Sequence, residues 1–274
     1  MFDISNARFA FLDLETTGLS PWFGDRICEV GIVLTEGKRI RETYEMLVNP
    51  GRELSPAAAS TNGLTDEMLA YAPPFESVAR EVYDRLKDRV VVCHNARFDL
   101  QFLDSEFKRV GRELQIPNLI DTLYIARERF ESPSNSLRAL AEAFNVSMED
   151  TRHALGDALL CRGVFFEMME SIAPPNGNIE EYIGIYNSPT SPDEAIHLPV
   201  SMSEAIQSGN RLRINYIDGK GQVTERWVTP YRVVGLLDYL YLHAYCHLRE
   251  AERSFRLDRI IRIEVEAQHG HYIA

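Results

Sequence analysis

With 274 residues, 45% hydrophobic and 26% charged, the chain is long enough for one large domain or two ordinary ones and has the composition of a soluble globular protein. No apolar run approaches the ~20 residues of a membrane span, and MFDISNARF lacks the basic-then-apolar pattern of a secretory signal, so a cytoplasmic protein is expected. The net charge of −12 is uneven: residues 196–274 carry ten Lys and Arg against nine Asp and Glu, and the remainder carries 19 against 32. So acidic a segment is a poor partner for phosphates unless bound cations reverse its sign locally.

In chain order, ARFAFLDLE, RICEVGIVLTEG and RIRETYEMLVNP read as three β-branched strands bounded by Gly, Asn and Pro, a meander. In STNGLTDEML, Thr65 with Glu67 and Met68 signals a short helix start. Phe75, Val78, Val82 and Leu86 recur with helical period, and RVVVCHN is a short buried strand. DLQFLDSEFKRVG is helical, and TRHALGDALLCRGVFFEMMESI is a long amphipathic helix. Strands followed by helix–strand–helix units predict an α/β fold with a mixed sheet over about residues 1–173. Residues 174–195 hold four of the thirteen prolines and read as a linker or packed extension, with Tyr182, Ile183, Ile185 and Tyr186 able to dock. Residues 196–274 open with a short helix and continue as a small β-rich, barrel-like domain, in which SFRLDRIIRIEV alternates as one half-buried strand. Cys28, Cys93, Cys161 and Cys246 are far apart, form no CxxC pair and read as reduced core residues.

The chemistry concentrates at element ends. Asp13 and Glu15 are two apart on a strand, so they face one way, and two close carboxylates repel unless a divalent cation offsets them. Asp99 follows a buried strand, and His153 and Asp157 are four apart at the start of a helix. Asp25, Glu29 and Asp121 read as caps, structural pairs or supports, and His94 as a group hydrogen-bonded at a strand end. Trp22 and Phe23, beyond the DLETTG turn, suit either base stacking or loop packing.

FLDLETTGL, HNARFD and RHALGDA resemble the three exonuclease motifs of the DEDD superfamily, in its DnaQ-like, His-containing branch. DRICEVGIV, LVNPGRELSP, NGLTDEML, IDTLYIAR and SLRALAEAFNV fall in that family's order, and the resemblance covers residues 7 to 172. It implies an RNase H-like fold and 3′→5′ cleavage releasing nucleoside 5′-monophosphates. Asp13, Glu15, Asp99 and Asp157 would hold two divalent ions, Mg²⁺ or Mn²⁺, that clamp the attacking and leaving oxygens. Asp13 would bridge both ions, and His153 would be the general base. Thr16 and Leu19 would approach the terminal nucleotide, with Asn95 and Phe98 lining its ribose and phosphate. Two departures stand out. The branch has H-x4-D where this chain has H-x3-D, with Arg152 in the H-x4-D position; and Asn62 stands where relatives often carry His, a change expected to matter little.

INY, VTPYRVV, YLYLHAYC and FRLDRI resemble a WYL domain, with Leu240-Tyr241-Leu242 as its name-giving tripeptide. That resemblance implies an Sm- or SH3-like barrel that binds nucleic acid or a nucleotide-like ligand. Arg232, Arg253, Arg256 and Arg259, with Tyr241 and His243, are the candidate phosphate-and-base surface, against a structural or dimerising barrel. The expected substrate is single-stranded DNA. An exoribonuclease, a ligand-gated nucleic-acid-binding regulator and a subunit of a polymerase or defence complex are the alternatives.

Overall fold

The computed structural model describes residues 4–148, 153–172, 179–186, 198–236 and 239–265. The chain divides into two compact units, one of Met1–Leu54 with Asn62–His197 and one of Ser55–Thr61 with Leu198–Ala274.

The first unit is built on a mixed five-stranded sheet. The meander forms β1 (Arg8–Thr16), β2 (Ile27–Glu36) and β3 (Arg39–Leu47), all antiparallel. β4 (Val90–Cys93) and β5 (Leu119–Asp121) then add in parallel on the other side of β1, giving the order β3-β2-β1-β4-β5. Both faces are covered, which is why β1 and β2 are nearly continuous apolar runs. On one face Ala10, Leu12 and Leu14 share a cluster with Phe75, Val78, Val82 and Leu86 of α3 (Phe75–Leu86) and with Leu100, Leu103 and Phe107 of α4 (Ala96–Arg109). On the other, Phe9 and Phe11 meet Phe165 and Phe166 of α7 (Ala154–Ile172), ring centroids 5.2–5.9 Å apart. Phe165 is fully buried there, so Phe165→Ala would cost about 3–5 kcal/mol. The edge strand β3 carries exposed Arg39, Arg41, Glu42 and Glu45, which discourage further pairing.

Shorter helices follow the local signals. α1 spans Pro56–Asn62. α2 (Asp66–Ala70) starts at Thr65, whose hydroxyl accepts the Met68 N–H at 3.3 Å. α5 (Thr122–Arg129) is capped by Asp121, and α6 (Leu137–Ala143) by Ser136. The described part of the extension docks as expected for Tyr182, Ile183 and Tyr186, and Gly184 bridges Leu119; Ile185 instead stays 71% exposed. All four cysteines are buried and free.

The second unit opens with α8 (Val200–Ser208), followed by β6 (Leu212–Ile217), β7 (Val223–Leu236), β8 (Tyr239–Cys246), β9 (Ala251–Arg256) and β10 (Ile260–Val265). These make an antiparallel sheet in the order β10-β6-β7-β8-β9. Among the described residues its edges, β10 and β9, do not pair, so the sheet is open there. SFRLDRIIRIEV is two strands rather than one, because a 3-10 turn at Leu257–Arg259 interrupts it. The turn puts Phe255, Leu257 and Ile260 inside and breaks the two-residue alternation. Among the described residues no helix is long and apolar enough to cross a membrane.

Candidate metal centre and nucleic-acid surface

β4 pairs with β1 only over Phe9–Phe11, so the last residues of β1 pass beyond the parallel part of the sheet. Ligand sites in open α/β sheets form at such carboxyl ends. Asp13 and Glu15 share the sheet face that carries Phe9 and Phe11, the face covered by α7. Opposite them on β2 stand Gly31 and Glu29. A β-carbon at Gly31 would lie 2.2 Å from the Ala154 carbonyl carbon, so only glycine allows the start of α7 to rest on the strand. That close approach brings Asp157 to the β1 acids: one carboxylate oxygen from each of Asp13, Glu15 and Asp157 lies within 4.8 Å of the others.

Asp99 lies in the first turn of α4 and is 3% exposed. Its carboxylate accepts the Leu14 N–H at 3.1 Å, filling the edge of β1 that β4 no longer covers, and it stands outside the 4.8 Å set. Asp121 holds α4 in place. Its oxygens accept the Asn95 N–H at 3.0 Å and the Ala96 N–H at 3.1 Å while also capping α5 through Leu123 N–H at 2.9 Å. Those bonds hold Asn95 in a left-handed conformation, φ 69°.

Burial and mutual repulsion dominate the electrostatics. Desolvation, then the charges of Asp99, Asp157 and Glu15, hold the Asp13 carboxyl well above the usual range. Burial lifts Glu15 to about 8, with Asp157, Glu29 and Asp99 adding to the rise. Burial lifts Asp157 to about 6, opposed by the Arg138 charge. Asp99 is raised by burial against the pull of its backbone hydrogen bonds. Among the described residues none of the four forms an ion pair with Lys or Arg. Crowded, hard oxygen donors that no Lys or Arg pairs among the described residues, with Arg138 acting on Asp157 only at longer range, fit a divalent cation that prefers oxygen, as Mg²⁺ and Mn²⁺ do.

His153 precedes the first residue of α7, so it stands just outside the helix. Its carbonyl accepts the Asp157 N–H at 3.1 Å, and its ring is 39% exposed. The step of about 40° between residues four apart within a helix therefore does not govern the His153–Asp157 relation. Arg152 lies outside the described residues.

The turn after β1 is fixed from both sides. Thr16 is 7% exposed, and its hydroxyl donates to the Gly18 carbonyl at 2.6 Å. Asp25 accepts the Ser20 N–H at 3.1 Å and pairs with Arg52 at 3.2 Å, and a β-carbon on Gly18 would lie 2.4 Å from the Asp25 carboxylate. Arg26 donates two bonds, at 2.5 and 2.8 Å, to the buried Glu106. This frame carries Leu19, half-buried, and Trp22, 45% exposed. Phe98 packs on Phe102 at 5.1 Å. His94 Nδ1 and the Thr122 hydroxyl are 2.9 Å apart, and burial lowers the His94 pKa to about 4.

Two residues matter more than the sequence suggested. Asn62 is 2% exposed and opposes the rise of the Glu15 pKa, while its Nδ2 donates to Cys28 Sγ at 3.8 Å and its Oδ1 accepts Leu64 N–H at 3.2 Å. Glu29, 2% exposed, accepts the Ala154 N–H at 3.2 Å and lies 3.6 Å from His153 Nδ1. The visible signal for Glu29 was a lone charge inside the apolar run of β2; Asn62 had none beyond its place in a motif.

In the second unit, a cleft of about 640 Å³ is lined by Tyr231, Arg232, His243, Glu252 and Arg253, with Ala244 and Ser254. Arg232, His243 and Ser254 form one row across β7, β8 and β9. Neither Arg232 nor Arg253 pairs with an acid among the described residues. Tyr241 lies two residues from His243 on the same strand and opposite Arg256. Arg256 is occupied differently: it donates to Asp258 at 2.9 and 2.5 Å and lies 3.4 Å over the Tyr239 ring. Arg259 lies in the 3-10 turn, its guanidinium near Gly219.

Against known proteins, the Exonuclease family model matches residues 10–165 and the WYL domain model residues 200–265. The chain is 37% identical over 166 residues to the PolC-type DNA polymerase III of Thermotoga maritima, covering 60% of this chain and 12% of that protein. It is 35% identical over 153 residues to the 3′-5′ exonuclease DinG of Staphylococcus aureus, covering 56% and 17%. The chain thus spans less than a fifth of the length of these curated relatives. Among solved structures, Exonuclease X in complex with 5′ overhanging duplex DNA superposes with a TM-score of 0.52 at 23% identity, covering 64% of this chain and 99% of that one. The zinc-bound E. coli ExoI–ssDNA complex superposes with a TM-score of 0.55 at 16% identity, covering 87% and 54%. These likenesses identify the RNase H-like exonuclease fold. The chain belongs to the exonuclease family, and a WYL domain follows its exonuclease domain.

Proposed function

We propose that the chain is a metal-dependent 3′→5′ exonuclease that hydrolyses single-stranded DNA to nucleoside 5′-monophosphates. The observation that carries this reading is the set of three carboxylates, Asp13, Glu15 and Asp157, crowded within 4.8 Å and without an ion pair to Lys or Arg among the described residues. Asp13, Glu15 and Asp157 would hold one divalent ion, and Asp99 would support a second beside Asp13. When bound, such ions supply Lewis-acid activation and neutralise charge developing on the phosphate oxygens. His153, half exposed at the start of α7, takes the proton of the attacking water. Asn62 favours the charged form of Glu15, and Asp121 fixes the turn that presents Asn95, Phe98 and Asp99. Thr16 and Leu19 meet the terminal nucleotide, and the exposed Trp22 is placed to stack on a base.

The C-terminal unit is read as a binding module for nucleic acid or a nucleotide-like anion. Arg232 and Arg253 are its phosphate contacts and Tyr241 with His243 its base-facing groups, while Arg256 and Arg259 support the sheet. The barrel expected of this domain would be a closed form of this sheet, which among the described residues stays open between β9 and β10. The domain limits 1–173, 174–195 and 196–274 remain part of the proposal. The reading is tested by digesting matched 5′-labelled single- and double-stranded DNA and RNA with Mn²⁺. Stepwise shortening from the 3′ end of single-stranded DNA, absent in Asp13→Ala, is the expected result; preferential RNA shortening would assign an exoribonuclease.

A further inference from the structure

We propose that Glu29 is the positioning residue for His153, holding the ring with Nδ1 inward so that Nε2 is presented to the reaction; this rests on the exonuclease reading. Glu29 stands on β2 directly opposite Glu15, yet its side chain turns to the start of α7. A single oxygen, Oε2, meets two successive residues: it accepts the Ala154 N–H at 3.2 Å and lies 3.6 Å from His153 Nδ1. The His153 ring is 39% exposed, but its Nδ1 is fully buried. One edge of the ring is therefore inside, facing a carboxylate, and the exposure of the ring belongs to its remainder.

A helix cap alone does not explain the choice of residue. Any neutral acceptor would satisfy Ala154 N–H, whereas a carboxylate here is buried opposite a second carboxylate, an arrangement that costs free energy. Glu29 has no Lys or Arg partner among the described residues, and His153 is the only group of potentially positive charge in its ion-pair range. At 3.6 Å the contact is longer than a hydrogen bond, so in this state Glu29 sets the ring's direction. Such contacts commonly tighten in the substrate complex. A carboxylate at Nδ1 favours the Nδ1–H tautomer, leaves the Nε2 lone pair free, and stabilises the ring when it takes a proton.

The test uses the full chain with Mn²⁺ and a 5′-labelled single-stranded oligonucleotide, together with ¹⁵N-histidine NMR. Glu29→Ala is expected to lower kcat about 10- to 100-fold, the range for groups that orient a catalytic ligand, with KM changed less than about twofold. Glu29→Gln, which keeps an acceptor for the Ala154 N–H but removes the charge, is expected to lose more than about fivefold, and a loss below about twofold would leave Glu29 a cap. Adding Glu29→Ala to His153→Ala is expected to cost less than about twofold more, because the two act through one ring. The NMR spectrum is expected to show the Nδ1–H tautomer in the wild type and the Nε2–H tautomer in Glu29→Ala. A wild-type Nε2–H tautomer, an undiminished Glu29→Ala loss on the His153→Ala background, or a lower Tm with unchanged kcat would overturn the assignment and leave Glu29 a cap. If Glu29→Ala does not fold, Glu29→Gln and the wild-type tautomer decide. Failure of the wild type to hydrolyse any oligonucleotide would sink the exonuclease reading, while the tautomer measurement would still judge Glu29.

Discussion

The two units treat charge in opposite ways. In the exonuclease unit burial pushes the carboxyls of Asp13, Glu15, Asp99 and Asp157 upward, and neighbouring acids add to the rise of the first three. In the C-terminal unit acid and base neutralise each other locally: Arg213 with Glu264 and Glu225, Arg262 with Glu264, and Arg256 with Asp258. Exposed pairs of that kind contribute little to stability and leave their charges locally compensated. The informative charges are those without an ion pair among the described residues: the acid set in one unit, Arg232 and Arg253 in the other.

The largest expected effect breaks the acid set. Asp13→Ala is expected to reduce hydrolysis by at least roughly 10³-fold, the several kcal/mol that bound metal supplies. In metal-free protein the same change is expected to raise Tm, because it removes one of several repelling buried carboxylates. Unimpaired turnover of Asp13→Ala would refute the metal assignment. His153→Ala is next, with an expected loss of roughly 10²–10⁴-fold, the range of a positioned base. If Arg152→Ala proved far more damaging, the base would be misassigned.

The acid set also fixes a pH dependence. Glu15 moves from an ordinary 4.5 to about 8 and Asp157 from 3.8 to about 6, so the metal-free fold binds their protons more tightly than the unfolded chain does. That contribution to stability is complete below the ordinary carboxylate values and is lost as pH rises through about 6 and then about 8. Metal-free protein is therefore expected to lose several degrees of Tm between pH 5 and pH 8.5. Mn²⁺ is expected to restore them at pH 8.5 and to add little at pH 5. A Tm that rises over that interval without metal would mean the acids are already compensated. The smallest effects concern the second unit. Arg232→Ala and Arg253→Ala are each expected to weaken oligonucleotide binding and to reduce the salt slope by about 1, whereas Arg256→Ala leaves the slope unchanged. Equal slopes in all three variants would remove the distinction between free and occupied arginines.

The strand period put Asp13 and Glu15 on one face, and the lone acids after VVVC and within RHALGD were visible as charges at the ends of apolar elements. Asp121 read as a cap, and it caps two helices at once. The break in SFRLDRIIRIEV was not legible, because the alternation continues in sequence across a turn that the packing of Leu257 and the Arg256–Asp258 pair impose. Glu29 and Asn62 were underrated for a similar reason. Their importance depends on which residue lies across the sheet, and cross-strand register leaves no mark on either strand alone.

By itself, then, the sequence determined most element types, the mixed sheet and which acids end apolar elements, since these follow from local periodicity and from charges set in apolar runs. Only the tertiary structure decided which oxygens converge and which way His153 faces. Gly31 lets the start of α7 touch β2, and that contact between residues more than a hundred positions apart places Asp157 beside Asp13 and His153 beside Glu29.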